Sequence, residues 1–145
     1  MYRKILVPLD GSKVAEGALP HAKALAYSVG AELILLTVGS NPALDFAFSD
    51  PGIAQSAAKE EEERSKKYIT GVEEELKAAG FKTSTLLRVG SVAEVILGVA
   101  DELQVDVIAM STHGRTGPAR WLLGSVAERV VHNSKVPVLL IRSKG

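Results

Sequence analysis

The sequence predicts an α/β fold: a single open sheet of five parallel strands with helices on both faces. Three observations carry that expectation. Five short apolar runs rich in branched residues recur along the 145-residue chain. A helix-period segment separates each run from the next, giving βαβαβαβαβ. The runs also lack the apolar-polar alternation of a half-solvated sheet, so they read as strands covered on both sides. A chain of this length suits one domain, expected over residues 1–145.

The first run, "KILVPL" (4–9), ends at the turn residues Asp10, Gly11 and Ser12. Ser12 is a good N-cap for the helix that follows. Ala15, Ala18, Ala22, Leu25, Ala26 and Val29 recur at steps of three and four and draw one helical face. Gly17 and Pro20 lie inside that pattern, and Pro20 should kink the helix by crowding the carbonyl of Glu16. Gly30 closes the helix. "ELILLTV" (32–38) is the second strand, and "GSNPALDFAFSDPG" (39–52) is a long loop of the kind that often binds or covers a ligand.

Residues 54–80 form a long amphipathic helix closed by Gly80. Its acid-before-base pairs Glu60–Arg64, Glu62–Lys66 and Glu63–Lys67 belong to a solvated face. "TSTLLRV" (83–89) is less apolar and belongs nearer a sheet edge. Ser91 caps the helix "VAEVILGVADEL", and "VDVIAM" (105–110) is the fourth strand. A glycine-rich loop, a helix from about Ser125 to His132, and the strand "VPVLLI" (136–141) complete the chain.

Right-handed crossovers prune the possible topologies and favour strand order 3-2-1-4-5. The order reverses between strands 1 and 4, and open α/β sheets bind ligands beyond the carboxyl ends of the strands at such a point. Two segments flank it: "PLDGS" after strand 1 and "MSTHGRTGPARWLLGS" (110–125) after strand 4.

Composition removes several classes of function. Lysine plus arginine and aspartate plus glutamate number 17 each, so no basic excess points to nucleic acid or to a membrane surface. No apolar run approaches the ~18 residues of a membrane helix, and the N-terminal run is too short for a signal peptide. The absence of cysteine excludes disulfides, thiol nucleophiles and thiolate metal sites. A cytoplasmic protein is expected.

The loop after strand 4 has the chemistry of a phosphate seat. Glycine permits close approach of backbone N–H groups to an anion, and a helix N-terminus adds free donors and positive partial charge. Gly124 and Ser125 open the last helix; Gly114 and Gly117 let the preceding chain fold over an anion; Arg115 offers charge. The same residues also suit a tight turn with Ser125 as a helix cap. Neither a P-loop nor a dinucleotide-binding glycine motif is present.

"ILVPLDGS", "GSVAEVILGVADELQVDVIAMSTHGRTG" and "WLLGSVAERVVHNSKVPVLLIR" together resemble the universal stress protein family over essentially the whole chain. Nucleotide-binding members carry G-x2-G-x9-G-[ST]. Here Gly114, the nine residues Arg115 to Leu123, Gly124 and Ser125 match, while Ser111 stands at the first glycine. Its side chain either narrows the approach to phosphate or donates a hydrogen bond to it.

The resemblance implies a Rossmann-like sheet of the adenine nucleotide alpha hydrolase type, and ATP, with or without Mg2+, between the ends of strands 1, 2 and 4. It assigns Asp10 to the ribose hydroxyls and the backbone of Val38 to the adenine edge. Pro8 and Leu9 would line the base pocket; Met110 and Ser111 would lie along the ribose and first phosphate. Gly114, Gly124 and Ser125 would hold phosphates, with a helix-terminal N–H from Val126. It also implies a homodimer, for which the last strand, apolar on both faces, is the natural edge.

Other residues remain open. Asp10 also suits the start of an Asx turn, and His113 either touches a phosphate or caps its turn. Trp121 packs the loop or a partner subunit, or stacks on a base. His21, His113 and His132 are too scattered for a metal site, and His132 suits the dipole of a helix C-terminus. The implied function is a stress-responsive, adenine-nucleotide-binding regulatory module with little or no turnover. The alternatives are a nucleotide-independent dimeric interaction protein and a slow ATPase.

Overall fold

The computed structural model describes residues 1–39, 50–113 and 123–142. Among these residues ten elements follow in chain order: β1 (Lys4–Pro8), α1 (Lys13–Glu16), α2 (Leu19–Val29), β2 (Glu32–Gly39), α3 (Pro51–Ala78), β3 (Thr83–Val89), α4 (Val92–Glu102), β4 (Val107–Ser111), α5 (Ser125–Asn133) and β5 (Val138–Ile141). The strands form one sheet in the order β3-β2-β1-β4-β5. Every pairing is parallel. Fold class and strand order are as the sequence predicts, with the less apolar β3 at one edge and β5 at the other.

Strand alternation sorts the core into two layers. Ile5, Val7, Leu33 and Leu35 face α2 and α3, packing with Ala18, Ala22, Ala26, Ile69 and Leu76. Leu6, Ile34, Leu36, Ile108 and Met110 face the other way, against Ala93, Ile96 and Val99 of α4 and Ala127 and Val130 of α5. The small residues on α2 let it lie close to the sheet.

Several boundaries differ from the sequence expectation, each for a local reason. The first helical segment is two helices, not one kinked helix. α1 ends at Gly17, and α2 restarts at Leu19 with Pro20 in its first turn. There Pro20 displaces no hydrogen bond, because first-turn amides have no intrahelical acceptor. α3 begins three residues earlier than expected: Asp50 caps it by accepting from the Gly52 amide at 2.7 Å, and Pro51 opens it. Ser91 stands at the N-cap of α4 but makes no side-chain capping bond.

β4 starts at Val107 rather than Val105, because the Val105 amide donates to Ala100 at the end of α4. β5 starts at Val138, since Pro137 has no N–H and the Val136 amide donates to Ser134 Oγ at 3.1 Å. Gly30 and Gly80 close their helices with positive φ, 71° and 94°. Most of the expected loop 39–52 lies outside the described residues, as does Trp121.

Candidate functional site

The ladders thin out where the strand order reverses. β2 and β1 share five registered pairs and β2 and β3 seven, but β1 and β4 share two, Ile5↔Val107 and Leu6↔Ile108. Beyond them the carboxyl ends of β1 and β4 part around a cleft of about 470 Å³. Pro8, Leu9, Asp10, Val38, Met110, Ser111, His113, Gly124, Ser125 and Val126 all line it. Gly114 and Arg115, the other two candidates, lie outside the described residues.

Each wall has its own chemistry. On the β1 side, Asp10 Oδ1 accepts from the Ser12 amide at 2.9 Å and from Ser12 Oγ at 2.5 Å. Ser12 Oγ in turn accepts from the Ala15 amide at 3.1 Å and caps α1. The Asx-turn reading of Asp10 is therefore realised, and the turn holds Asp10 in the wall of the cleft.

On the β2 side, the ladder to β1 ends where the Leu9 amide donates to the Leu36 carbonyl at 2.8 Å. Peptide groups alternate sides along a strand, so Val38 is the next residue whose N–H and C=O face β1. The registered pairs to β1 have ended by then. Val38 thus presents a backbone donor and acceptor toward the cleft, as base-edge recognition requires.

On the β4 side, Ser111 is buried. Its hydroxyl donates to the carbonyl of Val14 at 2.7 Å and lies 3.3 Å from that of Ala15. The side chain thus points at the end of α1 and ties β4 to it. The hydroxyl hydrogen is thereby directed to α1 rather than offered to a phosphate, while Ser111 itself lines the cleft. His113 is buried beside Thr112, whose Oγ1 lies 3.2 Å from His113 Nδ1.

The far wall is the start of α5. Gly124 donates its own amide to the Thr112 carbonyl at 2.7 Å, so that donor is spent on holding the helix against β4. A Cβ at this position would sit 2.9 Å from the same carbonyl oxygen, so glycine is needed for close approach. The amides of Ser125, Val126 and Ala127 have no intrahelical acceptor. Gly124 provides no side-chain cap for them. The helix-terminal donors left over therefore begin at Ser125, one residue beyond Gly124.

The cleft also includes residues that sequence reasoning did not select. Thr37, Glu61, Ser65 and Thr112 bring polar groups, and Gly90, Val92 and Ile96 form an apolar side. Glu61 and Ser65 stand four apart on α3, on one helical face. That spacing is visible in the sequence, but nothing in it shows that this face meets the sheet.

The universal stress protein family model matches residues 1–142. The chain belongs to the universal stress protein family. Universal stress protein MJ0577 of Methanocaldococcus jannaschii is 34% identical over 158 aligned positions, covering 100% of this chain and 98% of that protein. The solved structure of MJ0577 matches with a TM-score of 0.87 at 35% identity, covering 100% of this chain and 99% of the other. A universal stress protein crystallised in complex with cAMP matches with a TM-score of 0.66 at 27% identity, covering 97% of each chain. As a universal stress protein, the chain departs from the G-x2-G-x9-G-[ST] pattern at Ser111 alone, and the partners of that serine lie on α1.

Proposed function

We propose that this universal stress protein is a regulatory module that binds an adenine nucleotide, ATP foremost, in the cleft between β1 and β4. One observation carries the reading: amides at the start of α5 that no described residue caps stand across a single cleft from the backbone edge of Val38. An anionic tail suits the first, through free donors and the positive end of the helix dipole. A purine edge suits the second. Asp10 lies between them, where a ribose diol would be met by a carboxylate. A relative crystallised with cAMP supports the same ligand class.

Among the described residues no three metal-ligating side chains converge. Mg2+ would therefore be held largely by the phosphates it accompanies, the common arrangement for this ion. The proposal is binding rather than rapid turnover. Hydrolysis needs a positioned water, metal ligands and charge stabilisation together, and the proposed roles of Asp10 and the α5 amides are those of binding groups. We further propose a cytoplasmic homodimer joined along β5, built from one domain per chain.

The test is calorimetric titration of the purified chain with ATP and AMP, alongside chromatography of any nucleotide released on denaturation. Micromolar binding, about −8 kcal/mol, is expected. Gly124→Ala should weaken it at least tenfold, because displacing the Thr112 carbonyl costs about 1–3 kcal/mol and moves the α5 amides. Absence of both released nucleotide and binding heat would remove this reading.

A further inference from the structure

We propose that Thr37 is a nucleobase contact in this cleft, with its side-chain hydroxyl as the hydrogen-bonding group. The proposal rests on the nucleotide reading above and adds a residue to it. Thr37 is 5% exposed, and its Oγ1 is buried without a hydrogen-bond partner among the described residues. It lines the cleft. A buried hydroxyl with no partner carries an uncompensated desolvation cost, whereas valine would fill the same space without it.

The position in the strand explains how Thr37 comes to the edge of the cleft. Leu33 and Leu35 precede Thr37 on the same face of β2 and pack into the core under α2 and α3. Thr37 is the next residue on that face. It stands one step beyond the Leu36 carbonyl that ends the ladder to β1, where packed core gives way to the cleft.

The sheet order assigns the end of the ligand. β2 is two strands from β4, about 10 Å at ordinary strand spacing. A nucleotide with its phosphates on α5, beyond β4, and its sugar at Asp10, beyond β1, therefore brings its base to β2. Val38 offers main-chain groups there, and Thr37 adds a hydroxyl that donates or accepts.

The experiment compares the full-length wild type, Thr37→Val and Thr37→Ser by titration with ATP, by NMR titration with adenosine, and by thermal unfolding without ligand. Thr37→Val should bind ATP about tenfold more weakly, the loss of about one good hydrogen bond. It should unfold at an equal or higher temperature than wild type. Thr37→Ser, which keeps the hydroxyl, should bind within about threefold of wild type. Adenosine affinity should fall by the same factor as ATP affinity in Thr37→Val.

Undiminished ATP binding by Thr37→Val would overturn the assignment while leaving the nucleotide reading intact. A loss for ATP without a loss for adenosine would move the contact to the phosphates and overturn the base assignment. Failure of wild type to bind either ligand would overturn the nucleotide reading, and this one with it.

Discussion

Ser111 shows how one side chain decides what a motif position is for. Its hydroxyl joins the last residue of β4 to the carbonyls of α1. Ser111→Ala should therefore lower stability by about 1 kcal/mol, the ordinary net worth of one such hydrogen bond, since the Val14 carbonyl keeps the Gly17 amide as a second donor. Nucleotide affinity should stay within about threefold, since the hydroxyl hydrogen is committed away from the cleft. Urea unfolding and titration of the same sample check both. At the opposite end of the sheet, the Asp106 carboxylate accepts from the amides of Arg3 and Lys4 at 2.8 and 2.9 Å. Those bonds, Arg3's first, hold its pKa below the ordinary 3.8. A depressed carboxylate stabilises the fold above its unfolded pKa and loses that contribution as pH falls through its folded value. Asp106→Ala should thus lower the urea midpoint at pH 7, and its gap from wild type should close as pH drops below 3.8. Asp10 and Gly124 were legible at this scale because turn chemistry and missing side chains leave marks in a sequence. Thr37 was not, because a threonine in a strand looks like any β-former until register shows what its hydroxyl meets.

At the scale of elements, the site depends on helix ends more than on helix bodies. α1 is one turn long, yet it is held from three directions. Ser12 caps its start, Ser111 binds the carbonyls at its end, and Tyr68 of α3 donates to Glu16 Oε2 at 2.7 Å. Burial first, and then the Glu16 carboxylate, push the Tyr68 phenol well above its usual range, so it stays a donor throughout neutral and mildly alkaline pH. These ties hold the Asp10 turn over the cleft. The break between α1 and α2 was partly legible, since Gly17 and Pro20 announced an interruption. Periodicity continued through them, however, and favoured a bend over two helices. The early start of α3 was missed for a related reason. "SDPG" reads as loop, although Asp50 followed by Pro51 also satisfies the rules for a helix start.

For the molecule as a whole, the strand order was legible because two constraints agree: parallel strands need crossovers, and crossovers have one hand. The site followed from the order, since a reversal leaves a gap that no side chain of the strands fills. The assembly did not follow in the same way. β5 is four residues long and lies at the sheet edge, with Leu139 and, on neighbouring α5, Val131 exposed. A twofold pairing along this edge would cover them. Light scattering should then report twice the 15.4 kDa chain mass at micromolar concentration, and Val131→Lys with Leu139→Lys should return the monomer. A monomeric wild type would refute the pairing.

The two-pair seam between β1 and β4 also bears on mechanics. A sheet pulled apart yields first where the fewest cross-links resist, and here that is the join between β1 and β4. A nucleotide bound as proposed would cross that seam, touching β2 and β1 on one side and β4 and α5 on the other, and so would link the two halves of the sheet.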